Sequence, residues 1–473
     1  MSGAREQFGS RIGFILAAAG SAVGIGNLVG FPVGAAKNGG GAFLVMYAIF
    51  VFAICLPVML AEMSVGRTAR KDPLGAYRKL SNDSTRWKTA GWLSIVTPFM
   101  IAVFYLIITI WIFGYLFEAA TGNLAALANP ETFGTFINSP AVFAYMAAVL
   151  GIVYLILQGG VKQGIEKAAK LLMPALFIML LVLVVFVLFQ DNAMAGVKFY
   201  LIPDVSKITA SVVNGALSQA FFSLSLGMGI MITYGSYIDS RADVPGSAKL
   251  VALTDTAVAF TAGLMILPAI FSFNPETNPA ELSESSIGMI FSYLPQIFLA
   301  LQSGIGYVGA SIVATAFFLL VFFAAITSLV SIFEVPVAAL MEEKCIGRKP
   351  ALLLLGVILV VLASFCAVSF GSNEFFTSFT SYAGQPKSFF DVIYDVFYDT
   401  ILPLNGFLIC VFVSYRWKRA NFNAALDQGA PSYKGSLFER YVDWSVGTII
   451  PAILLVIFAN TVALKYFSFS FFG

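Results

Sequence analysis

The chain has 473 residues, 59% of them hydrophobic and 11% charged, with a formal net charge of +2 and a mean hydropathy of +0.89. Soluble domains carry roughly 25% charged residues, so this composition excludes an ordinary soluble domain, and the near-neutral balance offers nucleic acid no electrostatic footing. The absence of histidine removes the usual residue of haem ligation, most zinc chemistry and triad catalysis, which weighs against a membrane enzyme.

In chain order, the amino terminus "MSGAREQFGSR" is short and charged, and no small-residue cleavage site follows its apolar run. The first apolar segment therefore reads as retained rather than as a signal peptide. Eleven apolar segments follow one another at roughly 11–36, 41–67, 89–120, 141–158, 168–190, 208–238, 247–272, 305–340, 351–371, 390–415 and 443–468. Each is long enough to span hydrocarbon, and the polar stretches between them allow no sizeable soluble domain. The expectation is an all-α integral membrane protein of eleven transmembrane helices. The half-apolar stretch 286–302, flanked by acids and containing Pro295, reads as an external re-entrant or surface hairpin. Cys55, Cys345, Cys366 and Cys410 show no CxxC spacing and read as small packing residues.

Placing the amino terminus inside puts 22 of the 27 basic residues on the cytoplasmic side, leaving only Lys37, Lys198, Lys207, Lys387 and Lys465 outside. This agrees with the positive-inside rule. An odd helix count then puts the carboxyl terminus outside a cell inner (plasma) membrane.

Two segments are interrupted. The first contains "GSAVGIGN" (20–27) and the sixth contains Gly227 and Gly229, flanked by Ser223 and Ser225. Freed backbone in hydrocarbon costs several kcal/mol per group and persists only where it lines a cavity or binds something. Small residues also permit close helix packing, so the first segment alone leaves both readings open. Two Gly-interrupted helices five segments apart point to an inverted-repeat secondary transporter with its site at the midplane. Segments 1–5 and 6–10 would form the repeats of a core over 1–415, and 416–473 a cytoplasmic linker plus helix 11.

The stretches "AGSAVGIGNLVGFP" (19–32), "NGGGAF" (38–43), "SLSLGMG" (223–229) and "FFAAITSLVSIFE" (322–334) together resemble the neurotransmitter:sodium symporter family, in the form of a bacterial amino-acid-transporting member. The resemblance implies a monomeric functional unit in the lipid bilayer that carries two Na+ ions with one small solute. It implies a first sodium site of the Ala22 carbonyl, Asn27, Ser223, Asp255 and the substrate carboxylate. The second would comprise carbonyls of Gly20, Val23 and Ala324 with the hydroxyls of Thr327 and Ser328. The last three residues stand at i, i+3 and i+4 on one helix face, although such hydroxyls also bond back to their own helix. N–H groups around Gly24, Ile25 and Gly26 and the hydroxyl of Tyr105 would hold a substrate carboxylate, and glycine at position 24 matches amino-acid carriers. Ile101, Phe222, Ser225, Met228, Ser328 and Ile332 would face the side chain, favouring a neutral, hydrophobic amino acid. Glu62 would hold freed backbone of segment 6, Glu334 would be structural, and Arg5, beside Phe8, would pair with Glu342 while Tyr237 packs nearby.

Two departures from the family matter. Gly30 stands where many members have an arginine that closes the outer vestibule, and Asp391, Asp395 and Asp399 have no evident cation in the first helix. Asp255 falls where most members have asparagine, and Ala259 where they have the serine or glutamate of the anion site. Asp255 lies among the remaining matches Tyr47, Gln219 and Ser223, so its charge predicts chloride-independent transport. A one-residue shift would instead make Thr254 the ligand and leave Asp255 facing the cytoplasm. An ion channel, or a sodium-coupled carrier of another small carboxylate or amine, is the competing reading.

Overall fold

The computed structural model describes residues 5–273 and 286–471. It is helical almost throughout; among the described residues the exception is an antiparallel hairpin pairing Thr380–Tyr382 with Gln385–Lys387. We number the spans α1 (Arg11–Ala22 with Gly26–Lys37), α2 (Gly41–Ala69), α3 (Thr85–Ala120), α4 (Ala141–Gln158) and α5 (Val161–Leu188). There follow α6 (Ala210–Ser223 with Ile230–Gly235), α7 (Val244–Ser272), α8 (Gln302–Lys344), α9 (Arg348–Ala367), α10 (Phe389–Arg416) and α11 (Leu437–Phe467). Among the described residues nine helices are long and apolar enough to cross a membrane, and α1 makes a tenth when its halves, bent by 54°, count as one span. Interrupted α6 occupies the remaining segment.

Burial sorts the spans. The apolar windows of α3 and α8 are 83% and 78% buried, whereas α4, α5, α9 and α11 stay between 28% and 33%. The first two are the central posts, packed on each other. The others turn Leu, Ile, Val and Phe outward, as helices facing hydrocarbon do. Broken α1 lies against α7, α8 and α5, with Ala18, Ala19 and Val23 fully buried.

Two expectations change. The stretch 286–302 is not a hairpin: Met289–Ala300 is an apolar helix whose Ile290, Phe291, Leu294 and Ile297 are buried, packed on the start of α8. The turn comes just beyond the stretch, at Gly306 (φ +75°), and folds the helix back on α8 so that the Phe298 ring lies 5.1 Å from that of Phe317. The segment 416–473, expected as a linker plus helix 11, is tied to the rest of the chain by arginines. Arg67 of α2 reaches the carbonyls of Ala425 and Ala242, and Arg416 that of Ser81. Three cysteines are buried, but Cys345 is exposed, because it ends α8 in the left-handed region at φ +52°.

The second half of α6 lies against α2 through glycines. A Cβ at Gly235 would stand 2.6 Å from the Met63 carbonyl, and one at Gly66 would run into the Ile232 carbonyl. The obstacle is backbone on both sides, so no rotamer relieves it. Gly66→Leu is expected to destabilise the chain by about 1–3 kcal/mol or more, as overpacking does. Melting of the detergent-purified protein measures this, and an unchanged midpoint would contradict the packing.

Candidate functional site

The backbone of α1 comes loose after Ala22. Val23 adopts φ −72°, ψ 100°, and its N–H still donates to Ala19. Helical bonding resumes at Gly24, whose carbonyl accepts from Asn27 N at 3.2 Å and Leu28 N at 3.3 Å. The Gly24 N–H donates to Asn27 Oδ1 at 3.0 Å. A π-helical turn over Gly26–Gly30 leads into the second half, and such turns often accompany functional sites.

The other end of the Asn27 amide enters a buried cluster. Asn27 Nδ2 donates to Asp255 Oδ1 at 2.7 Å and Ser223 Oγ at 2.9 Å. Tyr47 OH donates to Asp255 Oδ2 at 2.9 Å, and Ser223 Oγ lies 2.9 and 3.0 Å from the two carboxylate oxygens. All four residues are at most 1% exposed, so Asp255 faces the interior and not an aqueous end. Among the described residues no lysine or arginine pairs with it, and every partner is an uncharged donor. Gln219, also expected here, donates to the Gly26 carbonyl at 2.9 Å, while Ala259 is fully buried and brings no polar atom.

On the other side of the break, Ser328 Oγ reaches the carbonyls of Ser21 at 3.2 Å and Val23 at 3.5 Å. Thr327 Oγ1 donates to Phe323 and Ala324 of its own helix at 3.0 and 3.1 Å. A Cβ at Gly20 would lie 3.4 Å from Thr327 Cβ. Carbonyls and hydroxyls of α1 and α8 thus face one another across one contact.

Between these clusters Ile25 N–H points at Tyr105 OH at 3.5 Å. A Cβ at Gly24 would stand 2.8 Å from Ser328 Oγ and 3.0 Å from Tyr105 OH, so no side chain fits there. Phe222 closes over Gly26 with its ring 4.3 Å from that of Tyr398. Ile101, Met228 and Ile332 are buried. Ser225, at φ +54°, donates to the Ser21 carbonyl at 2.9 Å.

The break in α6 spans Leu224–Gly229. Gly227, at φ +75°, and Gly229, at φ +67°, hold left-handed backbone that a side chain would strain. Glu62 Oε1 accepts the Gly227 N–H at 2.7 Å, and Asn405 Nδ2 donates to the Gly227 carbonyl at 2.8 Å.

At the Arg5 end of the bundle, Arg5 pairs with Glu342, donates to Ser236 Oγ at 2.7 Å and lies over the Tyr237 ring at 4.7 Å. Phe8 packs edge-on against Phe14, Tyr234 and Tyr237. Tyr237 OH donates to Glu334 Oε1 at 2.7 Å. Arg348 completes the set, 2.6 Å from Glu334 and 3.1 Å from Glu6. Sequence reading named Glu334 without a partner; Arg348 was visible only as one of many basic residues at that end.

The opposite end carries a cavity of about 320 Å³ lined by Asn214, Gln219, Phe222, Tyr398, Asp399 and Lys465, among others. Asp395 and Asp399 do have a cation, but it comes from α11. Lys465 Nζ lies 2.8 Å from Asp395 and 2.7 Å from Asp399, and Lys387 lies 3.4 Å from Asp395. Asp391 caps its own helix through Ser388. Gly30 leaves its space to Gln219, whose Oε1 would be 3.4 Å from an added Cβ. Ser21, Ser331, Asn405 and Lys465 are contributors that the motifs did not single out. Ser331 Oγ donates to Ser21 Oγ at 2.8 Å.

A family profile described as the sodium:neurotransmitter symporter family matches residues 5–135 and 134–472. The sodium-dependent transporter YhdH of Bacillus subtilis is 30% identical over 465 residues, covering 98% of each chain. A bovine sodium- and chloride-dependent taurine transporter is 28% identical over 339 residues, 62% of this chain and 54% of the relative. The crystal structure of MhsT in complex with L-phenylalanine is 38% identical in sequence, with a TM-score of 0.83 over 96% of this chain and 99% of that one.

Hydrogen bonds to charged groups contribute about 1.5–3 kcal/mol, less where water screens them. With Lys465→Met, a cysteine placed at Asn214 in the cavity is therefore expected to react with a water-soluble thiol reagent roughly threefold faster or more. Equal labelling rates would show that the lysine does not hold this end closed.

Proposed function

Because the chain belongs to the sodium:neurotransmitter symporter family, a family of sodium-dependent multi-pass membrane transporters and not of enzymes, we propose that it is a symporter coupling two sodium ions to one neutral, hydrophobic amino acid, without chloride. The observation that carries this reading is Asp255, a buried carboxylate held by Asn27, Ser223 and Tyr47 beside the broken backbone of α1. A buried anion surrounded only by neutral donors is costly until a cation joins it. Beside the Asn27 amide, the carboxylate of Asp255 and the hydroxyls of Ser223 and Tyr47 bring oxygens together, and oxygens suit a hard monovalent cation. Of the residues that would otherwise serve an anion, Tyr47 and Ser223 are bonded to this carboxylate, and Gln219 is bonded to the Gly26 carbonyl. A second negative charge there would be repelled in low dielectric.

The second sodium would lie where Ser328, Thr327 and the carbonyls of Gly20, Val23 and Ala324 meet. The substrate carboxylate would take the N–H groups at Gly24–Gly26 and the hydroxyl of Tyr105. Ile101, Phe222, Met228 and Ile332 would form the wall for its side chain, with Ser225 and Ser328 at the edge. The neighbour MhsT was crystallised with L-phenylalanine, which supports a hydrophobic substrate. The basic residues favour a cytoplasmic amino terminus and an extracytoplasmic carboxyl terminus. The Arg5–Glu342 and Glu334–Arg348 set would then close the inner side, and Lys465 with Asp395 and Asp399 the outer.

Uptake into proteoliposomes, screened over the amino acids, is expected to require sodium and to run equally in gluconate and chloride. Chloride dependence of the wild type would sink the anion part of the proposal. With Asp255→Asn, activity should vanish or become chloride-dependent. Tyr105→Phe removes one hydroxyl and is expected to weaken substrate binding about tenfold or more, measured by competition with labelled substrate. A change below twofold would return Tyr105 to packing.

A further inference from the structure

The geometry points to a bound anionic glycerophospholipid: one acyl chain lies in the apolar groove between α4 and α9, and its phosphate is held at Lys349. The groove has a volume of about 310 Å³ and is walled by Leu150, Val153 and Tyr154 on one side and Leu353, Val357 and Val361 on the other. Leu353 and Val357 are 59% and 65% exposed. In a family of membrane transporters such side chains meet hydrocarbon. The slot between them exists because α9 has a glycine there. A Cβ at Gly356 would find nothing within 4 Å, so the sequence leaves open a space that any larger residue would fill.

Apolar walls alone do not select a ligand, because bulk lipid is as apolar as leucine. Retention needs a charged end, and the register supplies it. Lys349 precedes Leu353 by four residues on α9 and so sits beneath it on the same helix face. It is exposed and has no ion pair among the described residues, unlike its neighbour Arg348, which is taken by Glu334 and Glu6. Tyr154 lines the same groove, and its hydroxyl has no hydrogen-bond partner among the described residues. A tyrosine near the end of a span is where headgroup and glycerol atoms are met. An exposed lysine beside an anionic lipid surface favours binding by a few-fold, so an anionic headgroup fits better than a zwitterionic one.

The groove also touches the Arg5-end network. Its floor includes Phe333 and Leu157. Phe333 precedes Glu334, and the Leu157 carbonyl accepts from Arg348 at 3.3 Å. A chain in the groove clamps α4 to α9 over the Glu334–Arg348 pair and favours the closed arrangement of that end. This holds whichever solute is carried.

The test uses the full chain in a neutral detergent, with dioleoylphosphatidylglycerol and dioleoylphosphatidylcholine as probes, read by native mass spectrometry and by melting temperature. The expected result is one retained phosphatidylglycerol per chain and a larger rise in melting temperature with it than with phosphatidylcholine. Gly356→Leu should abolish both, and Val357→Trp serves as a second plug should the first fold poorly. Lys349→Gln should weaken phosphatidylglycerol retention about fivefold, the loss of one cation at a lipid surface, and leave phosphatidylcholine unchanged. Equal retention of the two lipids, or equal retention in wild type and both plugs, would overturn the proposal. A wild-type dimer that either plug dissociates would assign the groove to a second copy of this chain instead.

Discussion

The contact on which the rest depends is the one between Asn27 and Asp255. Breaking α1 exposes N–H and C=O groups that hydrocarbon cannot satisfy, so every freed group needs a partner from a neighbouring span. Asn27 supplies the first link by accepting from the Gly24 N–H while its amide donates to Asp255 and Ser223. One short side chain thereby ties the broken backbone of α1 to α6 and α7. The break in α6 is answered in the same way from α2 and α10, through Glu62 and Asn405. Cross-links between the breaks, from Ser225 to Ser21 and from Gln219 to Gly26, make them one polar seam inside a hydrophobic bundle.

The two ends of the bundle treat charge differently. At the Arg5 end, guanidinium groups meet carboxylates through Arg5, Arg348, Glu334 and Glu342, and aromatic rings of Phe8, Tyr234 and Tyr237 fill the space between. Planar, multidentate arginine pairs give a geometrically specific closure. At the Lys465 end one flexible ammonium bridges two carboxylates and a second, that of Lys387, joins Asp395, with Phe222 and Tyr398 beneath. A point charge on a long stem pairs less selectively than a guanidinium fork. Helix α11, separable from the core in sequence, packs on α10 and brings Lys465 to Asp395 and Asp399.

The bundle was legible because its solvent is legible. Apolar runs of sufficient length and the distribution of Lys and Arg define the spans, and glycines inside two of them mark where backbone departs from helix. Positions of residues whose role depends on a local motif, such as Asn27, Ser223 and Ser328, followed from that motif. Lys465 and Arg348 did not, because their partners lie 66 and 70 positions away for the lysine and 14 and 342 for the arginine and arise from how spans are arranged around the axis. The helix Met289–Ala300 was misread for a related reason. At that length an apolar run is too short to span, and only its packing reveals that it is a covered helix folded back on α8 through a turn at Gly306, beyond the stretch itself.

The same seam bears on selectivity. On the proposed function, a wall made of Ile101, Phe222, Met228 and Ile332 would discriminate by shape, and one methylene in an apolar pocket is worth only about 1–3 kcal/mol. A hydroxyl on the solute would be rejected weakly by such a wall, whereas a solute without a carboxylate would forgo charge-assisted hydrogen bonds worth about 1.5–3 kcal/mol each. These lie at the start of the second half of α1, where the Gly24 and Ile25 N–H groups otherwise rest on Asn27 Oδ1 and Tyr105 OH. The absence of a side chain at Gly24 reinforces the asymmetry. Ser328 and Tyr105 stand within 3.0 Å of where a Cβ would be, so the protein cannot supply a carboxylate of its own there. On the proposed function, such a site would be strict about the amino-acid head and permissive about the size of a hydrophobic tail.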